Sequence, residues 1–240
     1  MPFTYQYPHP AVTVDCIIFA LHDEELKVLL IQRNSNPYQG CWALPGGFVE
    51  IDEGIDAAAL RELNEETGVE KVFLEQLYTF GEPRRDPRER VISVAYYSLV
   101  KLSEHAVRAG SDAANAGWFS IHKLPRLAFD HQTVMAMAIK RLQGKVVYAP
   151  LIFELLPAKF KLPQLQKVYE LILERPLDKR NFRKKILGAG IVTPLNEFDT
   201  TEPGRPAKLY KFDRKKFRKM QEHGFAFEIK PDSPRKKRSV

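Results

Sequence analysis

The chain has 240 residues, 44% of them hydrophobic and 28% charged, with a formal net charge of +7. These proportions exclude a collagen-like, a disordered or a disulfide-stapled chain, and no apolar run approaches the roughly 20 residues that span a bilayer. The charge is uneven: residues 1–150 hold 15 Lys and Arg against 19 Asp and Glu, a balance of −4, while residues 151–240 hold 22 against 11, a balance of +11. An acidic front and a basic back point to two modules, the second facing a polyanion.

The start, Met1-Pro2-Phe3-Thr4-Tyr5, carries no basic segment leading into an apolar stretch, so no secretory signal is read. Val12 to Ala20 and Leu26 to Gln32 are β-rich and joined by the polar turn His22-Asp23-Glu24-Glu25, the pattern of a hairpin. Asn34 to Gly40 is a loop, and Gly46-Gly47-Phe48-Val49 opens a strand-like piece. Asp56 to Thr67 predicts a helix, with Gly68 where its C-terminal stop belongs. Strands follow at Val72 to Phe80 and Val91 to Val100, separated by a charged loop containing Arg84, Arg85, Asp86, Pro87, Arg88, Glu89 and Arg90. A short strand at Ala116 to Ser120 and a helix at His131 to Gln143 complete the front. Cys16 and Cys41, both among apolar neighbours, read as buried thiols in a reducing cytoplasm.

The back changes period. Leu165, Val168, Tyr169, Ile172 and Leu173 recur at helical spacing within Leu162 to Leu173. Asp178 is a candidate N-cap for a second helix, Lys179 to Leu187, ended by Gly188-Ala189-Gly190. Ile191-Val192-Thr193 and Leu209-Tyr210-Lys211-Phe212 read as strands around the polar loop 194–208. Helix, turn, helix, hairpin is the order of a winged helix-turn-helix. Residues 221–240, with Arg235-Lys236-Lys237-Arg238, read as a flexible basic tail.

One pattern dominates the front. Five residues separate Gly47 from Glu53, seven separate Glu53 from Arg61-Glu62-Leu63, and Asn64, Glu65-Glu66, Thr67 and Gly68-Val69 follow. On a helix Glu62, Glu65 and Glu66 share a face at i, i+3 and i+4, where like charges repel unless a cation compensates. Mg²⁺ takes carboxylate oxygens and bridges to phosphates, and Arg61 can orient a carboxylate in forked fashion. Ala59, Leu60, Leu63 and Thr67 form the opposite face, set to pack on a sheet. A solvated acidic helix is the bland alternative.

Gly47 through Val69 resembles the complete Nudix box, with no departure at its defining positions. The resemblance implies an α/β/α sandwich with a mixed sheet and metal-assisted attack of water on a diphosphate. It implies Glu62, Glu65 and Glu66 as ligands of Mg²⁺ or Mn²⁺, Glu53 as an outer metal or orienting residue, and Arg61 as the orienter of the glutamates. Gly46 and Gly47 join the implied ligand site. With the charged loop and Ala128-Phe129-Asp130-His131, the chain further resembles the Nudix-related transcriptional regulators, often called NrtR. There the Nudix domain binds ADP-ribose or a related nucleotide, and a C-terminal winged helix binds an operator. That resemblance makes Arg85 and Arg88 candidates at the ligand. His131 reads as a hydrogen-bonded histidine at a helix start.

On the second helix Phe182 and Ile186 are set to face a core, with Leu187 beside them, and Lys179, Arg180, Arg183 and Lys184 to face outward. With Asn181 they suit the major groove of double-stranded DNA, where Arg and Asn read base edges and Lys contacts phosphate. Arg205, in Gly204-Arg205-Pro206, sits at the expected wing tip. The domain reading is therefore 1–147 Nudix, 148–220 winged helix and 221–240 tail. The functional reading is a cytoplasmic, homodimeric DNA-binding regulator, without membrane association, that senses ADP-ribose or a related nucleotide. The intact box points to retained Mg²⁺-dependent hydrolysis. The alternatives are an ADP-ribose or nucleoside-diphosphate-sugar pyrophosphatase with a basic accessory domain, and a Nudix protein acting on RNA ends.

Overall fold

In the computed structural model, residues 6–22, 24–102, 113–200 and 206–222 are described. They form two units that divide between Arg141 and Leu142.

The first unit runs β1 (Ala11–His22), β2 (Glu25–Arg33), β3 (Trp42–Ala43), α1 (Ile55–Thr67), β4 (Glu75–Phe80), β5 (Val91–Lys101), β6 (Ala113–Ser120) and the start of α2 (His131–Val146). The apolar run on β1 is buried on both faces: Cys16 and Ile18 on one side, Ile17 and Phe19 on the other, are all at 0% exposure. Such a strand belongs in the middle of a sheet covered on both sides. β1 pairs parallel with β5 and antiparallel with β2, in the order β3-β2-β1-β5-β4, and β6 pairs with β2. The sheet is therefore mixed, as expected. α1 packs Ala58, Ala59 and Leu63 against Val14, Cys16, Ile18, Leu29, Val94 and Tyr96. It stops at Gly68, whose left-handed φ of 71° lets its N–H reach Asn64 O at 2.7 Å.

The feature that opens the site is a parting of β1 and β2. They pair only between Phe19–His22 and Glu25–Val28. Beyond that, β2 turns to β3 and β6, and the exposed edge of β1 is taken by a loop. Val14 N–H donates to Gly47 O, Cys16 N–H to Pro45 O and Val49 N–H to Val12 O. The expected strand at Gly46–Val49 is thus a single bridge, Thr13 to Phe48, within this lacing. The structure also corrects Leu60, which is 44% exposed, and Cys41, which is only half-buried. The strand expected from Val72 begins at Glu75, and two-residue β3 was not anticipated.

The second unit contains the end of α2, a 3-10 turn (Pro150–Leu155), β7 (Phe160–Lys161), α3 (Leu162–Leu173), α4 (Lys179–Gly188), β8 (Val192–Asp199), β9 (Ala207–Phe212) and α5 (Arg214–Glu222). Leu165, Tyr169 and Ile172 of α3 are buried with Phe182 and Ile186 of α4, and the Tyr169 and Phe182 rings meet edge-on at 5.5 Å. The Asp178 side chain accepts from Arg180 and Asn181 N–H and caps α4. The sheet order is β7-β9-β8, all antiparallel. Helix, helix and hairpin make the winged helix that was expected. The hairpin is longer than expected, because β8 continues past Pro194 to Asp199 with a bulge. β8 is an edge strand, where a proline N is not asked to donate. β7, the 3-10 turn and α5 were not anticipated. The tail expected from residue 221 lies outside the described residues from 223 onward, and its first two positions belong to α5.

Candidate functional site

The parted strands leave a cavity of about 520 Å³ in the first unit. Its walls include Asp15 from β1, Arg33 from β2, Gly46, Gly47 and Phe48 from the lacing loop, Arg61, Glu62 and Glu66 from α1, Arg85 and Arg88 from the charged loop, and Phe129 and His131. The box helix and the arginine loop, well separated in sequence, thus share one chamber.

Arg61 organises the acidic wall. Its Nη2 and Nε donate to the two oxygens of Glu53 at 2.6 and 3.1 Å, and its Nη1 to Glu62 at 2.8 Å and to Glu65 at 3.1 Å. Its Nη2 also reaches Phe48 O, tying the helix to the loop. The bond from Arg61, with that from Glu50 N–H, holds the Glu53 carboxyl below its usual range. Burial raises the Glu62 carboxyl, against the pull of Arg61 and with Glu65 and Glu53 adding to the rise. Glu66 is 8% exposed and accepts from Gly46 N–H at 2.8 Å. Gly47 packs directly on Glu62: a Cβ there would collide with a Glu62 carboxylate oxygen, so that side chain would have to shift.

Glu62 and Glu66 face the cavity, whereas the Glu65 side chain is 57% exposed and is held by Arg61 outside the lining. Among the described residues no three acidic, His or Cys side chains are gathered as a metal cage. The donors nevertheless suit a hard divalent cation: all are carboxylate oxygens, and the half-buried Glu62 packs directly against Gly47.

The two arginines expected at the ligand are held differently. Arg85 lines the cavity, but its side chain is 4% exposed and its guanidinium is committed to acids. Nε and Nη2 fork onto Asp130 at 3.1 and 2.7 Å, and Nη2 also reaches Asp15 at 3.2 Å. Asp15 further accepts from Ser93 Oγ at 2.5 Å and faces His131 Nε2 at 3.3 Å. Leu44 N–H donates to His131 Nδ1 at 2.9 Å, so the helix-start histidine is hydrogen-bonded, as expected. Burial pushes the Asp15 carboxyl up, and His131, Arg85 and Ser93 overcome it to hold the value at about 2. Arg85 is thus first a structural anchor of the wall.

Arg88 is better placed for a ligand. Asp86 holds its guanidinium edge-on, at 2.7 Å from Nη2, and its face lies over Phe48 at 5.0 Å and Phe129 at 5.7 Å. Arg33, which the motifs did not single out, covers Phe129 at 4.8 Å and donates to the backbone carbonyls of Pro37 and Ser35. Burial and the nearby Arg88 lower its pKa. The signal for Asp15 was its place as the lone acid in an apolar strand. No local signal marks Arg33 or Phe48.

In the second unit Lys179, Arg180, Asn181, Arg183 and Lys184 all lie exposed on α4, with Phe182 and Ile186 inward. Leu187 is 37% exposed rather than in the core. Arg205 lies outside the described residues.

Comparison with known proteins agrees with both units. The NUDIX domain profile matches residues 9–140, and the NrtR DNA-binding winged helix domain profile matches residues 152–212. The class is thus a Nudix domain joined to a regulator's winged helix. An ADPR responsive transcriptional repressor of Acinetobacter baylyi is 35% identical over 95% of this chain and 90% of its own length. The crystal structure of Shewanella oneidensis NrtR complexed with a 27mer DNA superposes with a TM-score of 0.75 at 33% identity, covering 91% of this chain and 99% of that one. An ADP-ribose pyrophosphatase of Methanocaldococcus jannaschii is 43% identical over 54% of this chain and 73% of its own. The chain belongs to the NrtR family of Nudix-related transcriptional regulators.

Proposed function

We propose that this chain is an ADP-ribose-responsive repressor: the cavity takes the nucleotide and α4 reads a double-stranded operator. The observation that carries the reading is the composition of the cavity, whose lining combines carboxylates with arginine–aromatic stacks. A nucleoside diphosphate with two sugars has matching parts, an anionic centre and a flat base. Arg88 and Arg33 offer charge to phosphate, and Phe48 and Phe129 offer rings to the base. Glu62 and Glu66, with Glu65 and Glu53 behind Arg61, would hold Mg²⁺ or Mn²⁺. Bound there, the cation supplies a Lewis acid and an acidified water. Gly46 N–H orients Glu66, and Arg61 orients Glu53, Glu62 and Glu65. No helix among the described residues is long and apolar enough to cross a membrane. Two copies would present two α4 helices to half-sites a helical turn, or a multiple of it, apart. The deciding experiment is a gel shift on the gene's own upstream region. ADP-ribose should release the complex, and a shift indifferent to ADP-ribose and related nucleotides overturns the sensing role.

The second reading, hydrolysis of the bound nucleotide, is favoured by the intact box and by the likeness to the archaeal pyrophosphatase. Incubation with Mg²⁺ and a nucleotide panel, with the AMP and sugar phosphate produced read by chromatography or by the phosphate that added alkaline phosphatase frees from them, tests it. Glu66→Gln should lose turnover, by two or more orders of magnitude, and keep operator binding.

A further inference from the structure

α5 lies beyond the residues matched by the winged-helix profile, which ends at 212, and nothing above gives it a task. We propose that α5 is a second DNA-contacting element, a cationic rail that grips the duplex phosphates beside α4; this rests on the reading of the second unit as the operator-binding module.

The helix is docked on one side. Phe217 is 5% exposed, its ring 5.9 Å from Phe212, which stacks on Phe153 at 4.1 Å. It is also held close to α4. Asp213 N–H donates to Ile191 O at 2.9 Å, and Lys216 Nζ would stand 2.9 Å from a Cβ on Gly190, in the turn that leaves α4. The other side carries Lys215, Lys216, Arg218 and Lys219, all exposed. Arg214 differs, for it forks onto Glu154 at 2.6 and 2.7 Å. Lys215, Lys216 and Arg218 have no carboxylate partner among the described residues.

Electrostatics within the chain opposes this layout. Lys215, Arg218 and Lys219 sit at i, i+3 and i+4, where like charges repel. The first turn holds no acid, and its cations lie at the positive end of the helix dipole. Asp213, capping through Lys216 N–H at 2.9 Å, and Glu222, one turn on from Arg218 and Lys219, give partial relief. A polyanion supplies the remainder. The exposed face of α4, with Lys179, Arg180, Arg183 and Lys184, is a surface of the same sign in the same unit. The aromatic of α5 is buried, so the helix offers no stacking platform for unpaired bases, and duplex phosphate is the occupant it fits.

The test is the salt dependence of binding by the full chain. A Lys215→Gln, Lys216→Gln, Arg218→Gln variant should flatten the plot of log affinity against log salt by about 0.9 for each phosphate it no longer neutralises. With three phosphates left unneutralised, wild type should shed about 40-fold more affinity than the variant between 50 and 200 mM salt. Operator and random duplex should suffer the same factor, and Lys215→Arg with Lys216→Arg should keep the slope. Should the triple variant fold poorly, Lys215→Gln alone should still lower the slope by about 0.9. An unchanged slope on a duplex that wild type binds overturns the proposal alone, as does a weakening confined to the operator. Weakened binding only to single-stranded RNA or anionic vesicles overturns it in favour of those partners. Failure of wild type to bind any duplex overturns both it and the DNA-binding reading.

Discussion

Asp15 shows how one residue governs a wall of the cavity. It is 6% exposed, and it ties Arg85 of the charged loop, Ser93 of β5 and His131 of α2 to the central strand. Its carboxyl is held at about 2, below the usual 3.8. A depressed acid stabilises the fold fully above its unfolded value and loses that contribution as pH falls through the folded value. The span corresponds to about 2 kcal/mol, present above pH 4 and gone below pH 2. Asp15→Asn should flatten the stability profile between those limits. At neutral pH the same substitution should cost about 3 kcal/mol, because it strips a charge partner from the buried Arg85. Urea midpoints measured from pH 2 to 7 check both; an acid limb identical to wild type would place the titration elsewhere.

At the scale of elements, what was legible depended on how far apart the partners lie in the chain. α1 was readable to within a residue because its register, glutamate face and Gly68 stop are all local. α3 and α4 were readable for the same reason, through apolar spacing and the Asp178 cap. The committed state of Arg85 was not, since its partners stand 70 and 45 positions away. The same holds for the cavity: the parting of β1 and β2 is a property of pairing, and neither strand's composition reports it. Pro194 and the polar residues after it concealed the outer half of β8, whose side chains lie along a solvated edge. α5 was hidden because its buried aromatic, Phe217, sits in a run of cations with no apolar period to announce a helix. Two expectations follow for α4. Arg183→Ala, if the side chain reads a base, should weaken operator binding by roughly 1–3 kcal/mol and relax specificity at one position. Asp178→Ala removes the acceptor for two N–H groups and should lower the unit's stability by about 1 kcal/mol. Thermal melts separate that loss of folding from the weakened DNA binding of the Arg183 variant.

For the whole molecule, the division of charge along the chain acquires a cause. The front, at −4, holds the carboxylates that a cation and a diphosphate would share; the back, at +11, carries α4 and α5. A repressor needs these halves to be coupled, and the coupling is a free energy that either ligand can report. If ADP-ribose weakens operator affinity by some factor, operator must weaken ADP-ribose affinity by the same factor. Couplings of this kind lie at about 5–150-fold. The nucleotide produces such a change only by binding one state of the protein better than the other. Titrating ADP-ribose calorimetrically into a Glu66→Gln protein, which should not consume it, with and without saturating operator, should therefore return the ratio found by gel shift with the same variant. Equal affinities in the two titrations, beside a wild-type complex that ADP-ribose does release, would mean that the intact nucleotide is not the effector and that a product of its hydrolysis frees the operator.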